Sequence, residues 1–303
     1  MSVAYLNGAY LPLADARISP LDRGFLFADG IYEVAAVIDG KLVDSASHLA
    51  RLERSTSAIG IRLPLPLAEI EAVQKELVVR NGLSEGLVYL QITRGADRTR
   101  DFIAPEGLAP TLFLFVQAKP FLDVPAVRDG IAVATMPDLR WTRRDIKSVG
   151  LLAQAMGKQA ARAAGAQEAW MVEDGFVTEG ASSTAFILTE DGIVTRPYSQ
   201  AVLAGCTGER WLRWRRKAAS PWCAAPSPSP KHWTPRKRSS PARRPCASRW
   251  CGSTVRRSAT ERPAPSPCAC GNSISTLPGK PGFDGKDSET EGRSTALSKI
   301  GSL

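Results

Sequence analysis

Along roughly its first 200 residues the chain switches between two hydrophobic rhythms, and the switches outline its elements. Residues 3–6 and 9–11 are short apolar runs flanking Asn7-Gly8, a dipeptide suited to a two-residue hairpin because both positions tolerate positive φ. Residues 30–38 are β-branched and alternate with period two, which predicts a strand that turns at Asp39-Gly40 and returns through 41–43. The period then lengthens. Residues 46–59 set Leu49, Leu52 and Ile59 among charges, and 67–80 repeat the pattern before Asn81-Gly82. Both predict amphipathic helices, the second stopped by its Asn-Gly pair. Residues 87–93 and 111–117 return to strand character, and a short linker spans 119–124.

Beyond the linker, 130–136 predicts a strand and 151–164 a helix ended by Gly165. Residues 169–172 and 176–178 face each other across Glu173-Asp174-Gly175, and 186–188 and 193–195 across Asp191-Gly192. Repeated hairpins with one helix between them predict a curved, mostly antiparallel sheet. The expected class is α+β in two domains: a small domain over 1–118, the linker 119–124, and a second domain over 125–208 left incomplete.

Composition changes near Gly208. Residues 1–208 carry a net charge of −4, and 209–303 carry +13, so the +9 of the chain belongs to the tail. That tail holds five of six cysteines, five of seven tryptophans and 12 of 22 prolines, but only seven Val, Ile or Leu. So few branched aliphatics bury too little apolar area to offset the entropy of ordering. Arg, Pro, Ala, Ser, Trp and Cys enriched together is what a GC-rich gene gives out of frame. Residues 209–303 are therefore read as a frameshifted, disordered basic tail. A native disordered arm is the plainer alternative, and a nucleic-acid-binding tail a third. No nucleic-acid fold accompanies the charge, so no such partner is expected. Cys246/Cys251 and Cys268/Cys270 do not have zinc spacing, and no metal site is expected. The start of the chain has neither a basic stretch nor a long apolar run, and no segment approaches a membrane span. A soluble cytoplasmic protein is the expectation.

Three segments carry chemistry. Arg143-Arg144-Asp145-Ile146-Lys147-Ser148 precedes a helix. A lysine that attacks a carbonyl must be partly neutral, and the two arginines could depress its pKa. The plain reading is a solvated lysine beside a surface ion pair. Val177-Thr178-Glu179-Gly180-Ala181-Ser182-Ser183-Thr184 runs from a strand into a Gly/Ser turn. Its glutamate could hold a protonated ring nitrogen; the plain reading is a polar turn. Leu203-Ala204-Gly205-Cys206-Thr207-Gly208 offers N–H groups and a hydroxyl to an anion, or serves only as a helix cap. His48, three residues before Arg51, is read as a structural hydrogen-bonding histidine.

In order and spacing these segments resemble the fold-type IV, or class IV, aminotransferases that use pyridoxal 5′-phosphate. Phe27-Ala28-Asp29-Gly30-Ile31-Tyr32-Glu33 and His48-Leu49-Ala50-Arg51-Leu52 add to the match. Gln91-Ile92-Thr93-Arg94-Gly95 followed by Arg100-Asp101-Phe102 is most similar to the D-amino acid branch. The resemblance covers 1–210, makes 125–208 the cofactor-binding domain, and implies the following roles. Lys147 forms the Schiff base and moves the proton. Glu179 pairs with the pyridinium, and Arg51 and Thr207 hold the phosphate. Ser182, Ser183, Leu203 and Cys206 line the cofactor. Tyr32 stands near substrate. Arg100 traps the substrate carboxylate from the partner subunit's loop, with Arg98 as the alternative. Phe102 stands where many D-selective members carry histidine.

The resemblance thus implies transfer of an amino group between a D-amino acid such as D-alanine and a 2-oxo acid such as 2-oxoglutarate, by a homodimer. L-branched-chain aminotransferases and aminodeoxychorismate lyases share the lysine and the glutamate and remain alternatives. A rival of another class is an inactive frameshifted product.

Overall fold

The computed structural model describes residues 2–189 and 192–210. The expectations for 211–303, disorder and a shifted frame among them, lie outside the described residues. Residues 209 and 210 continue a helical turn that starts at 206.

The first half is one six-stranded antiparallel sheet with two long helices against it. In chain order its elements are β1 (Val3–Leu6), β2 (Ala9–Pro12), α1 (Arg23–Phe27), β3 (Gly30–Ile38), β4 (Lys41–Leu42), α2 (Ser45–Ala58), α3 (Leu67–Arg80), β5 (Gly86–Thr93) and β6 (Thr111–Ala118). The strand order is β2-β1-β6-β5-β3-β4. Both expected turns form: Asn7 and Gly8 take φ of 47° and 100°, and Asp39 and Gly40 take 51° and 68°. Period-two alternation sorts side chains between the faces. Val88, Leu90 and Ile92 of β5 and Leu112, Leu114 and Val116 of β6 are buried with Leu49 and Leu52 of α2 and Ile70 and Leu77 of α3. The opposite face carries an aromatic row, with ring centroids 5.8 Å apart for Tyr32–Tyr89 and 5.1 Å for Tyr89–Phe115.

The second half contains α4 (Pro125–Asp129), β7 (Val133–Pro137), α5 (Leu152–Ala163), β8 (Glu168–Glu173), β9 (Phe176–Gly180), β10 (Ile187–Thr189) and β11 (Gly192–Val194). Here the strands form two small sheets, and most pairings are antiparallel as expected, with one exception. β7 and β8 pair in parallel, while β8–β9 and β10–β11 are antiparallel. The helix α5 joins β7 to β8, and a crossover of that length returns the chain in the same direction. Strand β7 also begins three residues later than the alternation suggested: Gly130 caps α4, and pairing with β8 starts only at Val133. The buried cluster here is small: Ala161, Ala169, Met171 and Ala181. Among the described residues no helix is long and apolar enough to cross a membrane.

Candidate active site

The two halves meet where 147–149 run beside the start of β3. Tyr32 donates its N–H to the Lys147 carbonyl at 3.0 Å, Val149 donates to Gly30 at 3.0 Å, and Ile31 bridges Ser148. β4 pairs only with the far end of β3, so this edge is free to take the segment. Lys147 is buried at 7% exposure, and the plain reading of a solvated lysine is overturned. Its Nζ donates to Tyr32 Oη at 3.3 Å and lies 4.3 Å from the centre of that ring. Among the described residues it has no carboxylate partner. The arginines thought to tune it are committed elsewhere. Arg143 pairs with Asp145 at 3.0 Å, and Arg144 pairs with Glu173 at 2.7 Å.

Glu179, near the end of β9, is also buried. Its carboxylate accepts from Arg140 Nη1 and, at 3.3 Å, from the Leu203 N–H. Burial raises its pKa above the ordinary carboxylate range, while the charges of Arg140 and Lys147 pull against that rise. Arg140 is itself held by Asp138 at 2.7 Å, and Thr178 donates to the same Asp138 at 2.6 Å. Burial works against ionisation of Asp138, yet these hydrogen bonds bring its pKa down to about 2. The result is a chain of charge leading to Glu179.

A second network sits behind the 203–208 turn. Strand alternation sends Tyr32 and Glu33 to opposite faces of β3, and Glu33 turns toward α2. There it accepts from Arg51 Nε and Nη2, both at 2.7 Å, and meets His48 Nδ1 at 2.8 Å. Arg51 Nη1 reaches the Ala204 carbonyl at 2.9 Å and ties α2 to the turn. A guanidinium has five N–H donors, and Glu33 and Ala204 take three of those of Arg51. Burial opposes ionisation of Glu33, but hydrogen bonding and charge from Arg51 bring its pKa down to about 2. Burial likewise opposes a charged His48, but hydrogen bonds with Cys206 and Glu33 raise its pKa to about 9. His48 is the structural histidine expected, in a charged form.

The sequence-predicted residues divide accordingly. Tyr32, Lys147, Glu179 and Leu203 converge, with Arg51 and buried Cys206 behind the turn and exposed Thr207 on it. Ser182 and Ser183 donate to Glu168 at 3.2 and 3.0 Å. Arg100 does not join this group; its guanidinium lies over Phe27 at 5.1 Å and Phe102 at 5.4 Å. Arg98 and Phe102 share that loop, and Phe102 is exposed. Sequence reasoning missed Glu33, Glu168, Asp138 and Arg140. A lone carboxylate inside the apolar run 30–38 was the available signal for Glu33. Arg140, in the loop after β7, had none.

Whether a phosphorylated aromatic cofactor suits this site is testable on the chain itself. A buried amine without a carboxylate is available to an aldehyde. A buried carboxylate in contact with a cation suits a protonated ring nitrogen. Two glycines keep the turns around this cluster tightly packed: a Cβ on Gly180 would stand 2.1 Å from Ser183 Oγ, and one on Gly205 would stand 2.5 Å from Thr184 Oγ1. The residues fit such a group.

Comparison with known proteins agrees. The family described as amino-transferase class IV matches residues 30–221, running past the composition break at 208. The chain is 39% identical to the D-alanine aminotransferase of Bacillus licheniformis over 210 residues, covering 68% of this chain and 72% of that one. It is 36% identical to the D-alanine aminotransferase of Staphylococcus haemolyticus over 217 residues, covering 71% and 75%. Among solved structures, the branched-chain amino acid aminotransferase of Escherichia coli superposes with a TM-score of 0.67 at 17% identity, covering 74% of this chain and 76% of that one. The branched-chain aminotransferase of Thermoproteus uzoniensis, solved with norvaline, gives a TM-score of 0.65 at 22% identity, covering 74% and 77%. At those identities the structures speak for the fold, and the sequence matches speak for the family: this chain belongs to the class IV aminotransferases.

Proposed function

We propose that the protein transfers the amino group of a D-amino acid, D-alanine in the first place, to a 2-oxo acid such as 2-oxoglutarate, as a cytoplasmic homodimer. One observation carries the reading: Lys147 is buried, its Nζ is hydrogen-bonded, among the described residues, only to the Tyr32 hydroxyl, and its charge favours the ionised carboxylate of Glu179. The similarity to two D-alanine aminotransferases supports the choice of substrate.

Pyridoxal 5′-phosphate, the family's cofactor, supplies an aldehyde for the amine and a ring that withdraws electrons from the substrate Cα. This chain's residues do the rest. Arg51, with the Thr207 hydroxyl and the 205–208 backbone, holds the phosphate. Glu33 and His48 hold Arg51. Glu179 keeps the proton on the ring nitrogen, and Arg140 keeps Glu179 in place. Leu203, Cys206, Ser182 and Ser183 would line the cofactor. Lys147 Nζ takes the proton from the substrate Cα, oriented by Tyr32.

The carboxylate of the substrate needs a cation that the cluster around Lys147 does not supply. Arg100, with Arg98 nearby, sits on a loop beside exposed Phe25, Phe102 and Ile103. Such an apolar patch suits burial against a second copy, which would carry Arg100 into the partner's site. The experiment is borohydride reduction of the full chain with pyridoxal phosphate, followed by peptide mass analysis and D-alanine assays. The expected result is cofactor mass on the Lys147 peptide and pyruvate formation, both lost in Lys147→Ala. Wild-type turnover by Lys147→Ala would refute the assignment. L-leucine, tested beside D-alanine, separates the L-branched-chain alternative.

A further inference from the structure

Arg23 is the first residue of α1, is 5% exposed, and takes no part in the chemistry described above. A buried guanidinium needs partners for its donors, and those of Arg23 are specific. Nε donates to Asp29 Oδ2 at 3.0 Å, Nη1 to the Asp101 carbonyl at 2.6 Å and Nη2 to the Phe102 carbonyl at 2.8 Å. Among the described residues these two are the only hydrogen bonds that reach residues 98–103 from outside their own loop. The loop base is pinned separately, through the Asp22–Ala96 bridge and the Asp97 N–H to Leu21. The tip therefore depends on Arg23.

The anchor of Arg23 is rigid in turn. Asp29 accepts from Arg94 Nε at 2.7 Å and Nη2 at 3.0 Å, and Arg94 also donates to the carbonyls of Ile59 and Gly60 at the end of α2. Asp22, the N-cap of α1, is fixed by Thr93 at 2.9 Å and Thr111 at 2.7 Å. Both guanidiniums, Arg23 at 4.8 Å and Arg100 at 5.1 Å, lie over the Phe27 ring.

We propose that Arg23 is a positioning residue for substrate binding: by clasping the carbonyls of Asp101 and Phe102 it fixes the loop that carries Arg100. The inference rests on the reading of Arg100 as the carboxylate trap. A planar fork with donors on three nitrogens bridges one carboxylate and two carbonyls, and the single ammonium of a lysine does not. Arg23 acts only through where it holds Arg100, so its loss weakens capture of the carboxylate and leaves the proton transfer at Lys147 alone.

The test is a double-mutant cycle on the full chain loaded with its cofactor: wild type, Arg23→Lys, Arg100→Ala and the double variant, with kcat and KM for D-alanine. Arg23→Lys is expected to raise KM on the order of 10-fold with kcat nearly unchanged, and to add nothing in the Arg100→Ala background. Independent, multiplying effects overturn the proposal, as does an unchanged KM in Arg23→Lys when Arg100→Ala raises it. An unchanged KM in Arg100→Ala instead removes the carboxylate-trap reading beneath it. Asp29→Asn loosens Arg23 without deleting it, and serves if Arg23→Lys does not fold. Its KM is expected to rise less than in Arg23→Lys, and an Asp29→Asn enzyme with wild-type KM counts against the proposal.

Discussion

Replacing His48 by asparagine should change how stability depends on pH. His48 packs among Glu33 on β3, Arg51 on its own helix and Cys206 after the 203–205 turn, and its pKa is raised from 6.5 to about 9. A group that binds its proton more tightly when folded stabilises the fold fully below its unfolded pKa. That contribution is lost as pH rises through the folded value. The window therefore runs from about pH 6.5 to about pH 9. At about 1.4 kcal/mol per tenfold difference in proton affinity, the contribution below the window is on the order of 3 kcal/mol. For a folded region of this size that corresponds to about 6–12 °C in melting temperature. Asparagine can still donate to Glu33 but carries no charge. Melting of both chains, followed by circular dichroism from pH 6 to pH 9.5, should show the wild type well above His48→Asn at the acid end. The gap should close toward pH 9.5. Parallel curves would refute the argument, because they would mean that His48 has the same proton affinity folded and unfolded.

Arg140→Leu removes the cation beside Glu179 and lets burial raise that carboxyl further. The acid limb of the kcat–pH profile should move to higher pH and kcat near neutrality should fall at least about 10-fold; an unmoved limb counts against the pairing. Gly95→Ala places a Cβ 1.9 Å from the Ala109 carbonyl at a φ of +105°, so this tightly held exit from β5 must shift. A loss of stability on the order of 2–3 kcal/mol is expected in urea titration, and a midpoint equal to wild type would show that the strand exit is not so constrained.

Much of the first half was legible from the chain alone. The helix at 67–80 and the strand at 30–38 fall on the observed bounds, and the Asn7-Gly8 and Asp39-Gly40 turns take the positive φ angles that their residues favour. These features depend on local chemistry, on side-chain period and on backbone freedom. The parallel pairing of β7 with β8 was not legible, because 133–137 and 168–173 have the same alternation whichever way they run. Only the packing of α5 decides their direction. Lys147, Glu179 and Arg51 stood out because fixed motifs surround them; Arg140, Asp138 and Glu168 did not, because their partners are 39, 40 and 15 residues away in the chain.

Sequence by itself determined the family, the order of elements in the first half and the residues with reactive groups, since these follow from spacing and residue type. The fold decided which of those groups are charged, free or spoken for. It put Lys147 at a sheet edge with Tyr32 and, among the described residues, without a carboxylate partner, turned Arg143 and Arg144 away from it, and set Arg140 beside Glu179. Charge state depends on burial and on neighbours within a few ångströms, and the chain reaches those neighbours only by folding.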